Sequence, residues 1–133
     1  MTTYLLVLLG MLLNVAAQVA LKWATLGLTS GPAAPSGTRL SLASIAADPV
    51  RVALNGWFLV GVALYALSVV NWLVVLDRMA LSVAYPLMSL GYILTLVIGV
   101  LVFKEPISAS RVLGVVVIIA GVILISRPVV AHA

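Results

Sequence analysis

Residues 82–126 read SVAYPLMSLGYILTLVIGVLVFKEPISASRVLGVVVIIAGVILIS, two apolar segments that flank a short charged turn. Each segment has roughly the 20 apolar residues that a helix needs to cross about 30 Å of hydrocarbon. Because the apolar runs are continuous and do not alternate as in a membrane β-strand, they predict a helical hairpin in a bilayer. The turn Lys104-Glu105-Pro106 is predicted to close the third span and to open the fourth, since an acid and a proline both suit a helix start.

The rest of the chain repeats this pattern on the amino-terminal side. We predict membrane spans over residues 3–24, 50–76, 81–103 and 106–126, within one four-helix domain of residues 1–133. The connecting loop 26–48 is rich in glycine and proline, and its residues 41–47 are predicted to form a short interfacial helix. Pro49 suits the first turn of the second span.

Composition excludes a water-soluble domain. The 133 residues are 65% hydrophobic and 8% charged, with a mean hydropathy of +1.33, whereas a soluble domain has about 25% charged residues. The fold class predicted is an all-α membrane protein. With no cysteine and a single His132, the sequence offers no catalytic set, metal site or cofactor motif, and we predict no enzyme. The seven basic residues are spread over the loops and form no nucleic-acid patch, so lipid phosphate is the better partner.

The few charges fall at the edges of the apolar runs. Asp48, Asp77 and Glu105 are the three acids, and none lies at mid-membrane, where the usual proton carrier of a small transporter would be. One set of loops holds most of the basic residues, and the opposite set holds Arg78 and Arg127. The positive-inside rule then places the first set in the cytoplasm and both termini outside.

A polar stripe runs along the first span. Asn14, Gln18 and Lys22 follow at four-residue spacing, each about 40° further round the helix, so they share one face. As packing residues, the two amides would join neighbouring helices while the lysine reaches the headgroups. As functional residues, the three would form a hydrophilic path that ends in a cation, which suits an anionic headgroup. The spacing alone leaves both interpretations open.

The third span carries hydroxyl groups on one face. This pattern suits both sugar binding and ordinary helix packing, and its members are Ser82, Tyr85, Ser89 and Tyr92. Within the same helix, Pro86 removes a backbone hydrogen bond and Gly91 follows just over one turn later. Such a pair predicts a bend or hinge.

The second and fourth spans offer two further faces. Tyr65 and Trp72 of the second span are candidates to stack on a sugar ring, and Trp72 also suits an interfacial anchor. In the fourth span, Ser110, Gly114 and Gly121 form a small-residue strip that predicts a helix association face. Since four helices cannot enclose a pathway for a lipid or a sugar, the chain is predicted to work as a dimer.

Residues 82–126 resemble the second hairpin of four-helix drug/metabolite transporters, and LLNVAAQVALKWA at 12–24 is similar to their first helix. The elements Ala84-Tyr85-Pro86, Ser89-Leu90 and Glu105-Pro106 most resemble the aminoarabinose-phosphoundecaprenol flippase subunits. The resemblance implies an EmrE-like fold, working as a homodimer or as a heterodimer with a related subunit. In the similar small multidrug resistance exporters an essential glutamate stands where this chain has Asn14, and an amide cannot exchange protons.

The resemblance implies a subunit that moves a sugar on polyprenyl phosphate across the bacterial inner membrane. In this hypothesis Lys22 attracts the phosphate, and hydrogen bonds to the headgroup come from Asn14, Gln18, Tyr85, Ser89 and Tyr92. Tyr65 and Trp72 stack on the sugar, Pro86 and Gly91 allow bending, and no cofactor takes part. Two rivals remain: an exporter of small cations or metabolites, and an accessory subunit that docks a glycosyltransferase at the membrane.

Overall fold

The computed structural model describes residues 2–30 and 40–125. Their helices, in chain order, are α1 (Thr2–Ser30), α2 (Leu42–Ala47), α3 (Pro49–Ala53), α4 (Gly56–Arg78), α5 (Leu81–Ser89), α6 (Gly91–Leu101) and α7 (Ala109–Ile125). These described ranges contain no β-strand. The predicted all-α class is confirmed.

Three helical segments are long and apolar enough to cross a membrane: α1 with 29 residues, α4 with 23, and α5 with α6, which together cover 21 residues. The described part of the fourth segment, α7, has 17 residues, or about 26 Å at about 1.5 Å per residue. The membrane class that composition predicts is therefore confirmed. Helix α1 continues to Ser30, beyond the predicted end at residue 24.

The segment between α1 and α4 contains two short helices. Helix α2 covers most of the predicted short helix and begins with a capping box, in which the Ser41 and Ser44 side chains each accept a hydrogen bond from the other's backbone N–H. Its end residue, Asp48, also caps α3, where the carboxylate accepts from the Arg51 N–H at 3.0 Å. The glycines and prolines of residues 31–37 lie outside the described residues.

The second long helix starts later than predicted. Pro49 begins the five-residue α3 and not the span itself. The helical conformation is interrupted at Leu54 and Asn55. The Asn55 Oδ1 then accepts a hydrogen bond from the Phe58 N–H at 3.0 Å. Because asparagine is a strong N-cap, this side chain sets the start of α4 at Gly56.

The third predicted span is interrupted at Leu90, between α5 and α6. Leu90 donates its N–H to the Leu87 carbonyl at 3.2 Å, and Ile93 donates to Leu90 at 3.1 Å, both over three residues. This tighter turn lies between Pro86 and Gly91, the two residues predicted to form a hinge.

The charged turn after α6 does not open the next helix, contrary to the prediction. Lys104 has φ of 54°, in the left-handed region, and the Glu105 N–H then reaches back to the Gly99 carbonyl at 3.0 Å. Helix α7 begins only at Ala109, where Ser108 accepts from the Arg111 N–H. Glu105 thus closes α6 and does not stand in the first turn of α7.

The described residues divide into two compact units, one within residues 1–12 and 71–133 and one within residues 13–70. In the first, Val7, Val75 and Ala84 form a buried cluster, against which Trp72 and other apolar side chains pack. In the second, small residues of α1 are buried at intervals of three and four: Ala17, Ala20 and Ala24. Small residues let helix backbones approach closely, as is common in membrane proteins.

Candidate functional site

The polar stripe of α1 lies in the unit of residues 13–70. Gln18 donates its Nε2–H to the Asn14 Oδ1 at 2.7 Å, one turn apart. Asn14 is half-buried, whereas Gln18 and Lys22 are exposed. The two amides therefore form a pair that offers further donors and acceptors at the protein surface.

This stripe contains no ionisable acid. Residues 2–30 of α1 include neither aspartate nor glutamate, and the amide of Asn14 is neutral whatever the pH. Lys22 is the only charged residue in the helix. The stripe can bind polar or anionic groups, but it cannot exchange a proton for a substrate at residue 14.

Two predicted site residues, one assigned to stacking and one to hydrogen bonding, meet in the other unit. The rings of Trp72 and Tyr85 have centroids 5.4 Å apart and an interplanar angle of 85°, an edge-to-face pair. Trp72 is half-buried against the apolar cluster, and Tyr85 is 60% exposed. Because Trp72 is held by packing against this cluster, Tyr85 is the member of the pair that is more accessible from outside the protein.

Next to this pair, an amide fastens α4 to α1. Asn71 donates its Nδ2–H to the Leu6 carbonyl at 2.9 Å. A Cβ at Gly10 would stand 2.5 Å from that Nδ2 atom, so the absence of a side chain at Gly10 gives the amide its place. The sequence signal was an asparagine in an apolar span, where a polar group needs a partner. The predicted site did not include either residue.

The hydroxyl face of α5 and α6 is partly engaged by its own backbone. Ser89 donates its hydroxyl to the Pro86 carbonyl at 2.6 Å, and Thr95 Oγ1 lies within 3.2 Å of the Gly91 carbonyl. Tyr92 is exposed. The serine thus keeps only its acceptor lone pairs for a ligand, whereas a tyrosine hydroxyl can both donate and accept. Tyr65 is exposed on α4, in the unit of residues 13–70.

The predicted association face on α7 is open. Ser110, Gly114 and Gly121 lie on this helix, and a Cβ at either glycine would meet no described atom within 4 Å apart from its chain neighbours and the adjacent backbone of its own helix. Among the described residues, no cluster of His, Cys, Asp or Glu could hold a metal ion.

The comparison with protein families bears on this arrangement. The protein-family model described as Small Multidrug Resistance protein matches residues 50–118, just over half of the 133 residues of the chain. The chain belongs to the small multidrug resistance family. No solved structure gives a significant match.

Proteins similar to this chain carry a more specific name. The chain is 36% identical over 124 residues to "Probable 4-amino-4-deoxy-L-arabinose-phosphoundecaprenol flippase subunit ArnF" of Aeromonas hydrophila, covering 92% of this chain and 78% of the relative. With the ArnF of Enterobacter sp. (strain 638) it shares 36% identity over 96% of this chain and 97% of the relative. With an ArnE subunit of Pseudomonas savastanoi it shares 37% identity over 53% of this chain and 62% of the relative.

Proposed function

We propose that the chain is one subunit of a flippase that moves a sugar linked to a polyprenyl phosphate across the bacterial inner membrane. The observation that carries this proposal is the acid-free polar face of α1, where the hydrogen-bonded Asn14 and Gln18 share the helix with Lys22. The relatives named as aminoarabinose-phosphoundecaprenol flippase subunits support the same substrate class. The substrate we assign is therefore aminoarabinose on undecaprenyl phosphate.

The chemistry of the α1 stripe suits such a headgroup. Neutral amides can hold sugar hydroxyls and phosphate oxygens without any proton transfer, and the lysine ammonium attracts the phosphate. A surface amide such as Gln18 is costly to place against lipid, about 1–3 kcal/mol by mutational measures. We infer that this face turns toward an aqueous passage completed by a second subunit.

The aromatic and hydroxyl residues are assigned to the sugar. Tyr85 and Tyr92 are exposed and offer hydroxyl groups to it, and Ser89 offers an acceptor only. Trp72, held by the apolar cluster, supports the Tyr85 ring from one side. Tyr65 on α4 is proposed as a further stacking residue.

Movement of the headgroup requires that the helices change shape. Pro86 and Gly91 flank the tight turn at Leu90, and a turn of this kind can absorb a bend without breaking long stretches of helix. We assign this turn as the hinge of the transport cycle.

The pathway is proposed to lie between two subunits. A Cβ added at Gly114 or Gly121 would face open space, and small residues favour close helix contact in a membrane. The relatives carry two subunit names, ArnE and ArnF, which supports a related four-helix chain as the partner, with a second copy of this chain as the alternative. The basic loops are assigned to the cytoplasm and the termini to the periplasm.

An exporter of small cations is the second candidate, because the matching family model carries the name Small Multidrug Resistance protein. The amide at residue 14 counts against proton-coupled export, since it holds no exchangeable charge. Resistance of cells to quaternary amines, with transport that dissipates a proton gradient, would favour the exporter over the flippase.

The test uses the chain, with its partner subunit, in vesicles that contain the lipid-linked aminosugar. Lys22→Ala should lower headgroup translocation by about 10- to 100-fold, because a hydrogen bond to a charged group is worth about 1.5–3 kcal/mol. The measurement is the fraction of headgroup that an impermeant amine reagent can modify over time. The matched control is Lys104→Ala, which removes an exposed lysine from the turn after α6.

The two variants should assemble equally well, so that only translocation separates them. An equal rate for Lys22→Ala and the unsubstituted protein would remove the lysine from the proposed site. An unsubstituted pair that moves no lipid-linked sugar at all would contradict the flippase function itself.

A further inference from the structure

A second group of aromatic and basic residues lies at the carboxyl-terminal end of α1, outside the site proposed so far. Trp23 faces Trp57 of α4, and the Leu28 carbonyl accepts from the Arg51 Nη2–H at 3.4 Å. On the same helix, Gly27 lies close to the Asn55 amide, whose Nδ2 would stand 3.6 Å from an added Cβ. All of these residues belong to the unit of residues 13–70.

The two indole rings form a tilted, partly exposed pair. Their centroids are 6.4 Å apart with planes inclined by 30°, and the side chains are 40% exposed for Trp23 and 54% for Trp57. A sugar held between them would need about 7 Å, twice the contact distance of about 3.5 Å between carbon atoms. A ligand must therefore lie on the outer faces of the pair.

The outer face of an indole suits one chemical class well. Tryptophan is the best side chain for attracting a cation to its ring, and an amino group on a sugar is an ammonium at neutral pH. The apolar body of the indole also packs against the C–H groups of a sugar ring, while its N–H keeps a polar partner. Two adjacent indoles thus favour an aminosugar.

The phosphate of such a ligand would need a cation, and Arg51 lies at the same end of α1, against the Leu28 carbonyl. Arg51 is half-buried, and its guanidinium is positioned at the last turn of α1 by the Leu28 carbonyl. The guanidinium fork binds phosphate oxygens in pairs. A second cation, Lys22, directly precedes Trp23 in the chain. The carboxylate of Asp48 accepts a hydrogen bond from the Arg51 backbone N–H as a helix cap.

We propose that Trp23, Trp57 and Arg51 form a docking site for an aminosugar phosphate, which receives the headgroup before it enters the α1 stripe. This assignment rests on the proposed function and adds an entry site to it. Lys22 links the two places, because it neighbours Trp23 and shares the face of Gln18 one turn away. The ligand class is a sugar with both an ammonium and a phosphate.

Ordinary anchoring of tryptophans at the lipid surface is the competing explanation for the pair. Anchoring predicts no response of the rings to a soluble headgroup. The test therefore labels the protein with 5-fluorotryptophan and follows the fluorine NMR signals, which Trp→Phe variants assign, as 4-aminoarabinose 1-phosphate is added. Arabinose 1-phosphate, free 4-aminoarabinose and inorganic phosphate are added in parallel.

The signals of Trp23 and Trp57 should shift saturably with the aminosugar phosphate, and at least about 10-fold weaker binding is expected for each of the three partial compounds. Arg51→Gln and Trp57→Leu should each weaken binding by about 10-fold or more, whereas Trp57→Phe should weaken it less because an aromatic face remains. The matched control is Arg78→Gln, at the other end of α4, which should bind as the unsubstituted protein does. Circular dichroism checks that each variant is helical.

A separate assay decides whether the site serves the lipid-linked form. In vesicles with the partner subunit, Arg51→Gln and Trp57→Leu should raise the KM for lipid-linked aminosugar by about 10-fold with little change in kcat, since docking precedes movement. The docking site would be overturned if KM were unchanged in both variants, or if the fluorine signals of Trp23 and Trp57 did not shift when the soluble headgroup is added. Either result would leave the flippase function intact. Loss of translocation in the unsubstituted pair would instead overturn the function.

Discussion

Glycines play opposite roles in two regions of the molecule. Gly10 on α1 and Gly61 on α4 lie where another helix approaches, and an added Cβ would come within 3.0 Å of a neighbouring side chain at both. Gly114 and Gly121 on α7 face open space. The first two glycines are thus required by packing within the chain, and any requirement for the last two must come from a partner.

The largest effect is expected at Gly61. A Cβ there would stand 2.7 Å from the Leu21 Cγ and 3.2 Å from the Ala17 carbonyl oxygen. Neither atom is the free end of a side chain, so Gly61→Ala should force the helices apart and destabilise the protein by about 2–3 kcal/mol. Unfolding in mixed detergent micelles with increasing SDS measures this loss. Equal stability of variant and parent would contradict the close approach of α1 and α4.

A smaller effect is expected at Gly10. Gly10→Ala should displace the Asn71 amide and remove its hydrogen bond to the Leu6 carbonyl, which is worth about 0.6–1.7 kcal/mol in a membrane protein. Asn71→Ala should cost a similar amount in the same unfolding measurement.

The double variant of Gly10 and Asn71 sharpens this prediction. With the amide already gone, the added methyl group meets no obstacle, so Gly10→Ala with Asn71→Ala should be about as stable as Asn71→Ala alone. Losses that simply add, as for independent sites, would show that the two residues do not share one contact.

The smallest effect on the chain itself, and one of opposite sign, is expected on α7. Gly114→Ala and Gly121→Ala should stabilise the isolated chain by about 0.4–1 kcal/mol, because alanine has fewer unfolded conformations to lose. The same changes should weaken association with the partner, which analytical ultracentrifugation in detergent measures. Destabilisation of the isolated chain would place these glycines in internal packing and would remove the contrast with Gly61.

The sequence predicted the helical membrane class because long apolar runs leave a chain few alternatives in lipid. It misplaced the start of the second span, since Leu54 and Asn55 lie within an apolar stretch and Pro49 looked like the better start. The amide of Asn55 caps α4 instead. Asn's strength as an N-cap was a usable signal that the prediction did not weigh against Pro49.

The sequence predicted which residues belong to the candidate site better than it predicted which of their side chains touch one another. Four-residue spacing placed Asn14 and Gln18 on one face, and the two amides do meet. Spacing could not reveal that Ser89 donates to its own helix, or that Trp23 and Trp57 meet, because the first depends on a rotamer and the second on residues far apart in sequence. The assignment of these side chains to a substrate remains a prediction.

The left-handed backbone of Lys104 limits which residues the turn after α6 can accept. A non-glycine residue in this conformation costs about 1–2 kcal/mol, and glycine or asparagine adopts it more readily. Related chains can therefore exchange this lysine for either of those residues and keep the same bend. A valine or isoleucine would be strained here by its branched Cβ, so this position of the turn favours a narrow set of amino acids.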